Sequence, residues 1–106
     1  MEKVLIIIDE DKMRELYVKF FVSAGCIVRQ ASDLLNGLSL LMEEKMDLVL
    51  LDIKMSKQDI RLIVDIIQTH DPSLKVLVTS TYSADKQDEF MPQAENYIEK
   101  FEAQHV

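Results

Sequence analysis

Residues 4–11 read VLIIIDED, five apolar residues followed at once by three acidic ones. Two similar apolar runs follow at residues 48–53 and 76–79, and shorter ones lie at residues 27–28 and 97–98. Apolar runs without polar alternation are typical of strands that are buried on both faces of a parallel sheet. The run at residues 4–8 is too short for a signal-peptide core or a membrane span, so it predicts a buried strand.

Helix-patterned segments separate these runs. Residues 11–24, 33–45 and 57–69 carry apolar side chains at three- and four-residue steps, Tyr17 among them, and residues 84–91 predict a weaker, shorter helix. Strand and helix alternate along the whole chain. This alternation predicts an α/β, doubly wound fold with five parallel strands and four clear helices.

Composition narrows the class of protein. The 106 residues suit one domain, predicted to span residues 1–106, and the formal net charge is −7. A surplus of negative charge argues against unaided binding to nucleic acid or to an anionic membrane surface. The single cysteine, Cys26, excludes a disulfide framework, and no Cys/His spacing is typical of zinc. A reducing, cytoplasmic setting is therefore expected.

Reactive side chains stand at the carboxyl ends of four apolar runs. They are Asp9 and Glu10, Asp52, the hydroxyl residues 79–81, and Lys100. In open α/β sheets, ligands bind outside the carboxyl ends of the strands, so these groups are expected to converge. Carboxylates suit Mg²⁺, while a hydroxyl and an ammonium suit phosphoryl oxygens. A carboxylate can also act as the nucleophile and form an acyl phosphate.

Four stretches of the chain resemble the receiver domain of two-component response regulators, the CheY-like family. They are residues 4–11, 47–55, 76–80 and 94–100, which occur in order at nearly the family's spacing, and the resemblance runs from about Lys3 to Phe101. It implies a flavodoxin-like sheet with strand order 2-1-3-4-5. It also implies a cytoplasmic phosphorelay module that catalyses only its own phosphorylation and dephosphorylation, and is not otherwise an enzyme.

The resemblance further implies a role for each acidic residue at the sheet edge. Asp52 is expected to accept the phosphoryl group from a histidine kinase or a phosphotransfer protein. Glu10, Asp52 and the backbone carbonyl of Lys54 are expected to ligate Mg²⁺, with Asp9 holding the ion largely through water.

Three later residues complete the implied site. Ser80 and Lys100 are expected to bind phosphoryl oxygens, and Ser80 is preferred to Thr79 because it lies four residues after Val76. Tyr97 is expected to be the aromatic residue whose orientation reports phosphorylation to a downstream effector protein.

The chain departs from the family's pattern at four places. Ser56 follows Met55 where the family usually has proline, and Ile60 stands where glycine is common, which allows a different path for the loop into the third helix. Phe101 follows Lys100 in place of a proline with a cis bond. A cis bond before a non-proline residue costs about 2.5–4 kcal/mol, so a trans bond is expected there.

The fourth departure is the last helix, which is expected to be absent or vestigial. An uncovered sheet face exposes apolar surface of a kind that is rare on monomers. We therefore expect a homodimer or exchange of elements through that face, unless residues 101–106 fold over it.

Other interpretations stay open. The chain could be a degenerate receiver that acts only as a protein-interaction module. The Asp9-x-Asp11 pattern also fits an aspartate-nucleophile phosphohydrolase of the haloacid dehalogenase type, although Met13 departs from that pattern and 106 residues leave little room for a substrate-selecting cap. Finally, residues 9–11 could simply cap the first helix, since acidic residues favour helix N-termini.

Overall fold

The computed structural model describes residues 1–79, apart from the Lys57 side chain. These residues form four parallel strands and three helices in strict alternation. In chain order they are β1 (Lys3–Ile8), α1 (Asp11–Ser23), β2 (Ile27–Ala31), α2 (Leu34–Glu43), β3 (Leu48–Asp52), α3 (Lys57–His70) and β4 (Lys75–Val78). The strand order is β2-β1-β3-β4, which agrees with the predicted doubly wound sheet. The strand predicted at residues 97–98, the helix predicted at 84–91 and the question of a last helix lie outside the described residues.

Strand and helix bounds differ from the predicted ones by a few residues. The largest difference is β2, which continues to Ala31, although the apolar run ends at Val28. Arg29 and Gln30 are exposed, yet they pair with Leu5 and Ile6 of β1. Because β2 lies at the edge of the sheet within the described part, its polar side chains reach solvent while its backbone stays in the ladder.

Two apolar clusters cover the two faces of the sheet. The α1-side cluster contains Val4, Ile6, Ile8, Phe21, Leu48, Leu50 and Leu77, with Tyr17 and other residues of α1 packed on it. The opposite cluster contains Leu5, Ile7, Leu41, Val49, Leu51, Ile53 and Ile67, with further residues of α2 and α3. Odd and even positions of each strand thus point to different helices, which is why the strands are apolar throughout.

Side-chain caps begin all three described helices. Carboxylate oxygens of Glu10 and Asp33 accept hydrogen bonds from Met13 N and Asn36 N at 2.6 and 2.8 Å. These caps satisfy amide groups that the first helical turn leaves without a partner. At the other end of α1, Gly25 has φ +89°, a left-handed conformation that ends the helix and that glycine adopts without a steric penalty.

A polar turn joins α3 to β4. Asp71 caps the end of α3, and its Oδ1 accepts hydrogen bonds from Ser73 Oγ at 2.7 Å and Ser73 N at 3.1 Å. Its Oδ2 accepts one from Lys45 Nζ at 3.1 Å. The Ser73 hydroxyl first, and then Lys45, lower the pKa of Asp71 from 3.8 to about 2.

This lowered pKa predicts a pH-dependent contribution to stability. It is fully present above pH 3.8 and is lost as the pH falls through about 2, because the proton that Asp71 then binds removes the charge that Ser73 and Lys45 stabilise. We expect the free energy of unfolding, measured by urea denaturation, to fall less steeply between these pH values in Asp71→Asn than in the wild type. Asp65→Asn, at an exposed position of α3, is the control and should keep the wild-type slope. An unchanged slope in Asp71→Asn would contradict the prediction.

Within residues 1–79, no helix combines the length and the apolar character that crossing a bilayer requires.

Candidate functional site

Asp9 and Asp52 meet at the carboxyl edge of the sheet. Ile8 pairs with Asp52 in the β1–β3 register, and Asp9 N donates to the Asp52 carbonyl oxygen at 3.4 Å. Because side chains alternate along β3, the Asp52 carboxylate shares the α1 side of the sheet with Leu50. It is only 1% exposed. A carboxylate this deep beside a second acidic residue is unusual for a purely structural role.

Asp9 also fixes the loop that follows β3. Its Oδ2 accepts a hydrogen bond from Lys54 N at 2.9 Å, across 45 residues of sequence. The backbone of Lys54 is thereby held at the same edge as the two carboxylates, as its predicted role requires.

Glu10 points elsewhere. Its Oε2 caps α1 through Met13 N, so the capping interpretation is confirmed for Glu10. Among residues 1–79, no three or more His, Cys, Asp or Glu side chains are grouped closely enough to hold a metal ion. Ligation by Glu10 stays a prediction, and it requires the carboxylate to leave the Met13 amide or to use its other oxygen.

Arg14 is a residue of this edge that the sequence analysis missed. Its Nη1 donates to the Ile8 carbonyl oxygen at 2.8 Å, and its Nη2 pairs with Asp11 Oδ1 at 2.7 Å. The guanidinium thus holds the end of β1 to the first turn of α1. Its position three residues after Asp11 was the available signal, since residues three apart share a helix face.

Tyr17 and Thr79 also lie on the face of the sheet that carries Asp52. Thr79 was expected at this edge, although Ser80 was preferred for the phosphoryl oxygens, whereas Tyr17 was expected only as a residue of the apolar helix face. Thr79 is 8% exposed, and its Oγ1 has no hydrogen-bond partner among the described residues. Tyr17 is half-buried on the α1-side cluster. Burial and then the Asp52 charge raise the pKa of the Tyr17 phenol, while the Thr79 hydroxyl lowers it. Because Tyr17 packs on the cluster that contains Leu50 and Leu77, it shares this face of the sheet with Asp52 and Thr79.

The loop into α3 accommodates both departures at Ser56 and Ile60. Ser56 is the N-cap of α3, with its Oγ accepting from Asp59 N at 3.1 Å. Ile60 lies in the first turn of α3, where it is 7% exposed and belongs to the cluster opposite α1. The serine therefore caps the helix, and the isoleucine adds to the core.

The cap at Ser56 gives a direct stability prediction. Ser56→Ala is expected to lower the free energy of unfolding by about 0.5–2 kcal/mol, because Asp59 N loses its partner. Ser56→Asp, which keeps an acceptor at the same place, should retain most of the stability. Urea denaturation of the three proteins measures this, and equal midpoints for wild type and Ser56→Ala would show that the cap contributes nothing.

Ser80, Tyr97 and Lys100 lie outside the described residues, as does the peptide bond between Lys100 and Phe101. Their roles remain predictions from the sequence.

One comparison with known proteins identifies a family. The family model for the response regulator receiver domain matches residues 4–105. A search of curated protein sequences finds no match. Solved structures with a similar fold include the response regulator TrrA from Thermotoga maritima in complex with Mg²⁺-BeF, with 19% identity and a TM-score of 0.73 over 95% of this chain and 99% of that one.

Two further structures show the same fold. TrrA in complex with the histidine kinase ThkA gives 19% identity and a TM-score of 0.71, over 95% of this chain and 98% of that one. The chemotaxis protein CheY4 from Vibrio cholerae gives 19% identity and a TM-score of 0.68, over 92% and 80%. At this identity the likeness establishes the fold alone. Because the family model covers nearly its whole length, the chain belongs to the response regulator receiver domains, which are signalling domains rather than classical enzymes.

Proposed function

We propose that this chain accepts a phosphoryl group on Asp52 in a Mg²⁺-dependent reaction. The donor is a histidine kinase or a phosphotransfer protein, and a conformational change carries the signal to an effector protein. Family membership supports the proposal, and the observation that carries it is the buried Asp52 carboxylate beside Asp9 at the carboxyl edge of the sheet. The same membership argues against a phosphohydrolase of the haloacid dehalogenase type.

The donor set at this edge fits Mg²⁺. Asp9 follows β1 and Asp52 ends the neighbouring β3, so both supply carboxylate oxygens at this edge. Mg²⁺ prefers oxygen ligands and keeps several waters. Asp52, Glu10 and the Lys54 carbonyl would hold the ion, with Asp9 acting through water. When bound, the ion supplies positive charge that offsets the negative charge of the phosphoryl oxygens. The complex of TrrA with Mg²⁺-BeF supports this choice of ion.

Phosphoryl transfer then needs one nucleophile and several positive groups. A carboxylate oxygen of Asp52 attacks the phosphorus atom, a P–O bond forms, and the bond from phosphorus to the donor's leaving group breaks with its electron pair. Ser80 and Lys100 bind the phosphoryl oxygens in this proposal, and Tyr97 changes orientation.

The partner classes follow from the same reasoning. A histidine kinase is bound to TrrA in one of the similar structures, which supports a kinase as the phosphoryl donor here. The effector, the cytoplasmic setting, the homodimer and the extent of the domain over residues 1–106 stay proposals.

A second candidate function has one observation in its favour. Glu10 caps α1 and forms no three-carboxylate group with Asp9 and Asp52 in the described part of the chain. A receiver that acts only by binding another protein never takes a phosphoryl group. It would therefore have no need of three carboxylates grouped to hold a metal ion.

Intact-mass measurement after incubation with acetyl phosphate separates the two candidates. With Mg²⁺ present, we expect the chain to gain the mass of one phosphoryl group, and with EDTA we expect no gain. An established receiver domain, treated in parallel, controls for the reagents. If the control is modified and this chain is not, the phosphoacceptor proposal fails and the interaction module is favoured.

A further inference from the structure

Two hydroxyl groups, those of Tyr17 and Thr79, lie on the α1 side of the sheet, which also carries Asp52. Leu51 pairs with Val78 in the β3–β4 register, and Thr79 N donates to the Leu51 carbonyl oxygen at 3.1 Å. Thr79 therefore follows β4 at the level of Asp52 on β3. Side-chain alternation directs both residues to the face that carries Leu50 and Leu77.

Tyr17 reaches the same face from α1. Its ring packs on the α1-side cluster, which contains Leu50 and Leu77. Burial and then the Asp52 charge raise the pKa of its phenol, while the Thr79 hydroxyl lowers it. Asp52 and Thr79 are 1% and 8% exposed, so these groups have little water to bind. A buried hydroxyl without a partner is costly, and Thr79 Oγ1 has none within residues 1–79.

We propose that Tyr17 is a positioning residue for Asp52, in a chain of hydrogen bonds in which the Thr79 hydroxyl donates to the Tyr17 phenol oxygen and the phenol hydroxyl donates to the Asp52 carboxylate. In this arrangement Thr79 Oγ1 gains the partner that it lacks within residues 1–79. One carboxylate oxygen of Asp52 is then held from the α1 side, and the other is presented at the sheet edge. The proposed hydrogen bonds do not depend on the proposed function, whereas their effect on phosphoryl transfer rests on it.

Variants that lack one hydroxyl group test the proposed hydrogen bonds without the use of acetyl phosphate. The ¹³Cζ resonance of tyrosine responds to hydrogen bonding at the phenol, and the loss of one signal in Tyr17→Phe assigns it among the three tyrosines. We expect this resonance to shift in both Thr79→Val and Asp52→Asn, at a fixed neutral pH. Thr69→Val, at an exposed position of α3, is the matched control and should leave it in place. If the resonance moves in neither variant, the proposed hydrogen bonds are refuted, whether or not acetyl phosphate modifies the protein.

Kinetics test the positioning role. Tyr17→Phe keeps the ring and is expected to slow modification by acetyl phosphate about tenfold, because the attacking carboxylate loses its fixed orientation. Thr79→Val should slow it as well, the double variant should be little slower than either single one, and Thr79→Ser should restore the rate. Wild-type rates in Tyr17→Phe and Thr79→Val, with Asp52→Asn inactive, would refute the positioning role and leave the proposed function intact. An unmodified wild type would instead count against the proposed function.

Discussion

Asp52→Asn is expected to abolish modification by acetyl phosphate completely while leaving the fold intact. The amide has nearly the shape of the carboxylate but lacks the anionic oxygen that attacks phosphorus. Asp52 is 1% exposed, so its replacement by a neutral group of equal size removes a buried charge and leaves no cavity. Intact-mass measurement with Mg²⁺ and acetyl phosphate, together with a circular dichroism spectrum, tests both parts of the prediction.

Asp65→Asn is the matched control for this variant. Asp65 lies at an exposed position of α3, away from the carboxyl edge, and its replacement should leave the uptake of the phosphoryl group unchanged. Uptake that persists in Asp52→Asn would show that another side chain is the acceptor. A misfolded Asp52→Asn protein would contradict the second half of the prediction.

Gly37→Val is expected to destabilise the protein more than the helix-cap variant Ser56→Ala does. Gly37 lies in α2, directly over β1, and a Cβ atom added there would come within 2.7 Å of Ile7 Cγ1 and also meet Ile7 Cδ1. Ile7 is fully buried in the middle of the sheet and cannot move aside. We expect the free energy of unfolding to fall by about 3 kcal/mol, since overpacking a close contact outweighs the better helix propensity of a residue with a side chain.

Two further variants check the cause. Ser39→Val places the same side chain at an exposed position of α2 and should change the unfolding free energy little. The double variant Gly37→Val/Ile7→Ala makes room beside the new side chain, so its loss of stability should be smaller than the sum of the two single losses. Additive losses in urea denaturation would show that the contact with Ile7 is not the cause.

The strands and helices that pack by simple periodicity were predictable from the sequence. The apolar runs at β1 and β3 indicated strands with two buried faces, and the acidic residues before the first periodic pattern indicated a cap for α1. The length of β2 was not predictable in this way. Arg29 and Gln30 interrupt its apolar run, and only pairing with β1 keeps them in a strand.

The candidate site divides in a similar way. Asp9 and Asp52 were predictable, because each ends an apolar run and the parallel strands bring their carboxyl ends to one edge. Thr79 was expected at the same edge but was set aside for Ser80, because the choice between neighbouring hydroxyl residues depends on which face of β4 each one occupies. Tyr17 was not predicted as a site residue, since a tyrosine at a helical step indicates core packing and nothing local marks it as a neighbour of Asp52.

Sequence alone determined the fold class, the acidic edge and the family that the chain resembles, because these depend on side-chain order along single strands and helices. Tertiary structure decided the partner of each acidic group: Glu10 turns to the amide of Met13 three residues away, whereas Asp9 crosses 45 residues to the amide of Lys54. Those choices depend on strand register and on where a helix crosses the sheet. Local periodicity contains neither quantity, so the arrangement around Asp52 became visible only in the folded chain.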